Sequence, residues 1–306
     1  MLIKDCYPLY HEALMKQEFN TQYSKIKQAY KDGKLYSYIN FIIRNPKINT
    51  FANEITEDKV LAVFRRIVYV FDWLREKQVY KFDNDLWNLI QSVDSLIIDK
   101  SVFEHFPFKT IWIDHEFKGA EDITYKGAFV TIENNCFYSL FVNDDTHMVT
   151  EFGLNEYNKK TIEDIINDSE IHHPEYQNSF RELMNAVVYI CSEKPDVESV
   201  KVEVEENNNK KKANIKKKTK VQINTTGKSV GRVIREYNTN LAHENKEHSS
   251  GKKGTAKAPH VRKAHYHSFW KKENGEKILI VKFLAPMIIH GNDEIKYTVR
   301  QQSERK

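Results

Sequence analysis

The apolar residues of this chain change their spacing near Phe108, and that change limits the fold more than any other feature. Before it, the spacing is helical. Val60, Phe64, Ile67, Phe71 and Leu74 recur at steps of four and three, with Thr56 as N-cap and Glu57 and Asp58 in the first turn. Leu61, Val68 and Trp73 widen that stripe, so the helix is expected to be buried on more than one side. Residues 7–31 predict another helix stopped at Gly33, and Asp83 is placed to cap a third running through Leu86, Leu89, Ile90 and Val93.

After Phe108 the pattern alternates, as strands do. Lys109–Asp114, Gly127–Ile132 and Cys136–Val142 read as strands of an antiparallel meander, with a turn at Asn134–Asn135, and His147–Phe152 adds a fourth. Helical spacing returns over 161–169 and again after Pro174, where Phe180, Leu183, Val187 and Ile190 share a stripe that ends before Pro195. Val197–Glu205 alternates Val with charge and reads as a solvent-facing strand, and Thr219–Asn224 as another.

A class with helices first and strands later is α+β. The expectation is N-terminal helices, a central mixed but mostly antiparallel sheet, and a basic C-terminal β-hairpin. The chain divides into a helical part over 1–105, a sheet-and-helix part over 106–205, a flexible Lys/Asn-rich loop over 206–218, and a basic β region over 219–306 packed with the central sheet as one domain.

The hairpin holds the densest chemistry. Ala258–Trp270 carries His260, His265 and His267 with Arg262, Lys263, Tyr266, Phe269 and Trp270, and a turn at Glu273–Glu276 leads into the strand Glu276–Phe283. On a strand His265, His267 and Phe269 share one face, and Tyr266, Ser268 and Trp270 the other. Three readings of the histidines stay open. A metal would need a third ligand that no spacing fixes, so no metal and no cofactor is expected. Acid/base chemistry on RNA would use His265 and His267, whose ordinary pKa lies near neutrality. A hairpin whose rings stack within a core or a groove needs no catalysis.

Charge separates along the chain: 22 Lys and Arg against 32 Asp and Glu in residues 1–200, then 25 against 11 in residues 201–306. A basic third suits phosphate contact, and Arg232, Arg235, Arg262 and the aromatics of the hairpin suit peptide or single-stranded RNA. Asp114-His115-Glu116-Phe117-Lys118 has the residue types of a nuclease metal site but not the usual spacing, and reads as a charged strand end. No apolar run approaches the roughly 20 residues that span a bilayer. Cys6, Cys136 and Cys191 are too scattered for a disulfide frame, so a cytosolic protein without membrane partners is expected. Walker A, G-x-G-x-x-G, H-E-x-x-H and G-x-S-x-G are all missing.

Several of these stretches together resemble one family. Ala258–Trp270 with the following strand to Ile289 is similar to the C-terminal signature of a type V-A anti-CRISPR family, the second class described, which blocks production of the effector nuclease. Gly227–Tyr237 resembles the segment upstream of that signature, Tyr189–Asp196 the end of a long helix, and Pro107–Asp114 a central strand; Val60–Trp73 fits more loosely. The resemblance spans most of residues 50–290, and the chain departs from it in the insert at 206–218 and the long amino-terminal helix. It implies a cytoplasmic protein of the bacterial host cell that recognises the nascent amino-terminal peptide of its target during translation and causes the mRNA to be lost. The ribosome and that mRNA are further implied partners. The groove would then involve His260, Arg262, His265, Tyr266, His267 and Trp270. Two alternatives stay open beside it: a histidine-dependent ribonuclease, or recruiter of a host ribonuclease, and a stoichiometric peptide- or RNA-binding module that leaves RNA intact.

Overall fold

The structure, a computed structural model, describes residues 6–44, 57–93, 95–119, 123–133, 136–142, 149–154, 161–172, 177–205, 218–232, 260–262, 264–285 and 287–289. Four helices come first: α1 (Tyr7–Phe19), α2 (Tyr23–Lys31), α3 (Leu35–Arg44) and α4 (Glu57–Glu76). The single helix expected over 7–31 is two, separated by a 3-10 turn at Asn20–Gln22, where Asn and Thr are weak helix formers. Gly33, at φ +68, ends α2 as expected. The helix α3 was not anticipated, although Leu35, Ile39 and Ile42 give it a buried stripe. In α4, Ile67, Val70, Phe71 and Trp73 are buried; the proposed cap Thr56 lies outside the described residues.

A seven-stranded sheet follows, built from β1 (Gln78–Phe82), β2 (Thr110–Ile113), β5 (Gly127–Glu133), β6 (Cys136–Val142), β7 (Val149–Leu154), β8 (Val197–Glu205) and β9 (Lys218–Thr226), in the order β7-β6-β5-β2-β1-β9-β8. β1 runs parallel to both β2 and β9, and every other pairing is antiparallel. The meander β2-β5-β6-β7 is therefore as expected. β1 was not, because only Lys77, with φ 53, separates it from α4, and it is buried on both faces, so its sequence shows no alternation. It lies within the stretch read as helical.

Helices cover both faces of the sheet. Val79, Trp112, Phe129, Leu140 and Val221 face α1–α4. Tyr80, Ile111, Ile113, Val130 and Phe141 face α5 (Asn84–Gln91), α6 (Ile162–His172) and α7 (Gln177–Ile190). Asp83 caps α5 by accepting from Asp85 N, as the sequence predicts. Thr161 and Asp164 cap α6 reciprocally at 3.0 and 3.1 Å. Two short strands, β3 (Phe117–Lys118) and β4 (Thr124–Tyr125), pair beside the main sheet.

The C-terminal hairpin forms where the sequence places it. β11 (His265–Glu273) pairs with β12 (Glu276–Leu284) through nine registered positions, closed by Asn274 and Gly275 at φ 51 and 91, the two left-handed positions of a type I′ turn. β10 (His260–Arg262) and β13 (Met287–Ile289) extend the same ladder. Leu279 and Val281 bury themselves in the core on the α7 side, so the fold is α+β with the hairpin packed on the body. Among the described residues no helix is long and apolar enough to cross a membrane.

Candidate functional site

Between the hairpin and the β1-β9-β8 end of the sheet lies an open cleft of about 460 Å³. Its floor follows from strand register. Tyr80 pairs with Asn224, Asn224 with Ser199, and Gln78 with Gln222, so all five residues point to the face that the hairpin overlooks. Asn224 is the hub. Its Nδ2 donates to Gln78 Oε1 at 3.0 Å, and its Oδ1 accepts from Ser199 Oγ at 2.6 Å and from Gln222 Nε2 at 3.2 Å. A buried amide held by three partners is rigid, because losing any of them leaves a desolvated polar atom.

The walls are apolar. Leu279, Ile280 and Val281 of β12 form one, Pro107 and Phe108 a second, and Ile190–Glu193 with Pro195 and Val197 the third. His105 Nε2 donates to Leu279 O at 2.6 Å, and Glu193 N to Val281 O at 2.6 Å, which fasten the hairpin to the body on both sides of the opening. Glu193 also pairs with Lys282 at 3.1 Å. Burial pushes the Cys191 thiol far up and Tyr189 to about 12, so both are neutral at pH 7. Apolar walls with a few oriented amides and hydroxyls are the usual make-up of a ligand site.

The residues singled out in the sequence are divided by the hairpin's two faces. Tyr266 points inward: its ring lies 5.2 Å from Phe283 and its hydroxyl donates to Asn185 O at 3.0 Å. His267, opposite Lys282, is exposed on the outer face, 5.8 Å from the Phe269 ring, with Lys282 over that ring at 5.2 Å. His265 is half-buried at the base of the same face. Trp270 is 54% exposed toward the tip, beside Lys271 and Lys272. His260 and Arg262 are placed on β10 by backbone alone, and Arg235 lies outside the described residues, as does the 206–218 loop apart from Lys218. His265 and His267 do not line the cleft; residues 279–281 of the opposite strand do. Among the described residues no three His, Cys, Asp or Glu side chains gather as metal donors.

Arg232 sits elsewhere, exposed on the helical turn that follows β9. That turn is seated on α5: a Cβ on Gly227, at φ +87, would come within 2.1 Å of Leu86, and one on Gly231 within 2.3 Å of Asp83 Oδ1. Asp196 Oδ2 accepts from Ser229 N and Val230 N at 2.7 and 3.0 Å. The glycines of 227–231 thus serve close packing, and the turn's amides are already capped.

A second cleft, about 700 Å³, lies at the ends of β1 and β2. Asp114 pairs with Lys81 at 2.6 Å and Glu116 with Lys126 at 2.8 Å, which holds the Glu116 carboxyl below its ordinary range. His115 stacks on Trp87 at 3.6 Å, and burial lowers its pKa. The acids of the 114–118 segment are thus consumed by lysines, as a charged strand end would be.

Sequence reasoning missed Gln222, Asn224 and Ser199. The signal was present in β9, where Gln222, Asn224 and Thr226 alternate with Val221, Ile223 and Thr225. A polar face reads as solvent-exposed unless the strand is known to be internal, and Asn224 is 1% exposed.

The chain matches the AcrVA2-like family, described as the anti-CRISPR type V subtype A2 family, over residues 80–291. Among solved structures, one titled "Crystal structure of AcrVA2" is similar at a TM-score of 0.53 and 14% identity, covering 92% of this chain and 99% of that one. At that identity the likeness is one of fold. No curated protein matches the chain.

Proposed function

Because the chain belongs to the AcrVA2-like family of type V-A anti-CRISPR proteins, we propose that it recognises the nascent amino-terminal peptide of a type V-A effector, or of another target, during translation and directs loss of the encoding mRNA. The observation that carries this reading is the cleft between the hairpin and the β1-β9-β8 end of the sheet. The residues that open onto it, Tyr80 to Val281, fall within 80–291, the stretch that matches the family, with Gln78 beneath the floor two residues before it, whereas α1–α4 fall outside. The second cleft takes Tyr7 from outside that stretch. A cleft with apolar walls and an oriented polar floor suits a short peptide segment, and β8, an edge strand of the sheet among the described residues, suits strand addition by the residues that follow. The exposed lysines and Trp270 at the hairpin tip suit RNA of the message or the ribosome, by phosphate contact and base stacking. The protein acts in the cytoplasm of the bacterial host, where translation takes place.

The test is the level of a type V-A effector transcript in cells with and without this protein. The first codons are recoded synonymously in one set and changed in meaning in another. The reading predicts that the transcript falls, still falls after synonymous recoding, and escapes when the amino acids change. A transcript that never falls rejects loss of a type V-A effector's mRNA, and one that escapes on synonymous recoding rejects peptide recognition.

A further inference from the structure

The floor of the cleft is polar, but the lining carries almost no charge to spare. Among the described residues that line it, the one carboxylate is Glu193, at the rim, and Lys282 already lies 3.1 Å from it. The floor is an amide and hydroxyl array, Asn224 with Gln222 and Ser199. The imidazole of His105 is engaged by Leu279 O. Such a lining accepts a neutral hydrogen-bonding group at little cost, but an ammonium entering it would lose water and, among the described lining residues, meet only the Glu193 carboxylate that Lys282 already holds.

That distinction matters for a chain terminus. A free α-amino group titrates near pH 7.7–8.0 and is charged at neutral pH. Bacterial chains start with formylmethionine, whose formamide is an uncharged donor and acceptor. Its thioether side chain is flexible and favours contact with aromatic rings such as Phe108 on a wall and Tyr80 in the floor. The volume, about 460 Å³, is within the range that encloses a drug-sized ligand, so it takes a chain end rather than a long segment.

We infer that this cleft receives the formyl-blocked methionine at the start of a nascent chain and disfavours the same terminus once its formyl group is removed. This rests on the peptide-recognition reading above and adds a chemical criterion to it. Recognition would then be confined to chains still carrying the formyl group, before deformylation exposes the amine. No covalent step is involved; the discrimination is one of charge.

The experiment measures binding of the full-length protein to a fluorescent decapeptide with the amino-terminal sequence of a type V-A effector, made in formyl, acetyl and free-amine forms. At pH 6.5 the formyl and acetyl forms are expected to bind at least about tenfold more tightly than the amine. The gap should close by about pH 9.5, as the amine loses its proton. Ser199→Glu, on the exposed edge strand, puts a carboxylate at the floor and is expected to shift the preference at least about tenfold toward the amine. Equal binding of all three forms, or tighter binding of the amine, overturns the formyl criterion and leaves peptide recognition standing. Binding unchanged in Ser199→Glu overturns the assignment to this cleft. If no form binds, recognition of a type V-A effector's amino terminus falls with the inference.

Discussion

The Tyr266 hydroxyl donates to the main-chain oxygen of Asn185 at 3.0 Å, and through that bond the histidine-bearing strand is tied to the last turns of α7. Asn185 is itself held by Gln91 Oε1 at 3.1 Å, so α5, α7 and the hairpin share one chain of polar contacts. Burial raises the Tyr266 pKa well above its ordinary value, so the hydroxyl stays a donor throughout the physiological range. Tyr266→Phe keeps the ring against Phe283 and removes only this bond. The expected cost is about 1 kcal/mol. It should appear in urea unfolding as a lower midpoint at unchanged slope.

Gly227 and Gly231 make a graded pair. Alanine at 231 would push on Asp83 Oδ1, the cap of α5, whereas alanine at 227 would strike Leu86 and also hold a left-handed φ of +87. Gly231→Ala is therefore expected to cost about 1–2 kcal/mol, the range of a lost helix cap. Gly227→Ala adds core overlap and backbone strain and should cost about 2–4 kcal/mol. Thermal unfolding of the two variants checks the order; equal values would mean that Leu86 moves aside freely.

How much of this was legible follows from which residues signal their own environment. The α5 cap at Asp83, the stripe of α7 and the Asn274-Gly275 turn are local, and sequence spacing places them correctly. β1 and the floor of the cleft are not local. Gln78, Asn224 and Ser199 meet only because β9 crosses back to pair in parallel with a strand more than a hundred residues earlier. No short-range pattern encodes that contact, whereas the histidines stand out by their density in sequence, although His265 and His267 sit away from the cleft. The same locality explains why β12 read only as the partner of the histidine strand, although its residues 279–281 form a wall of the site.

Glu163 gives a pH signature. It lies in the first turn of α6, and its carboxylate accepts from Leu96 N at 2.7 Å and from Arg181 Nη2 at 3.0 Å. Burial alone would raise its pKa, but the Arg181 and Leu96 bonds outweigh burial and hold it below the ordinary value of 4.5. A carboxyl lowered on folding stabilises the protein above its unfolded pKa and loses that contribution as pH falls through the folded one. Glu163→Gln should thus cost about 1 kcal/mol at pH 7, allowing for solvent screening of a partly exposed pair. The difference from the parent should shrink toward zero below about pH 4. A difference that stays constant from pH 7 to pH 3 would assign the effect to shape, not charge.

The floor of the cleft should behave as a unit. Asn224→Ala leaves Gln78 Oε1, Gln222 Nε2 and Ser199 Oγ without their common partner, and Asn224 is 1% exposed, so the cost is expected at about 2–3 kcal/mol. Ser199→Ala removes one of these bonds from an exposed position and should cost about 0.5–1 kcal/mol. Since the serine contributes mainly through Asn224, the double variant should be less destabilised than the sum of the two, with a coupling of about 0.5–1 kcal/mol. Additive losses would show that the serine and the asparagine are held independently, and the floor could then reshape around a ligand one side chain at a time. Coupled losses would mean that it presents one fixed pattern of donors and acceptors, as selection by charge and hydrogen bonding alone requires.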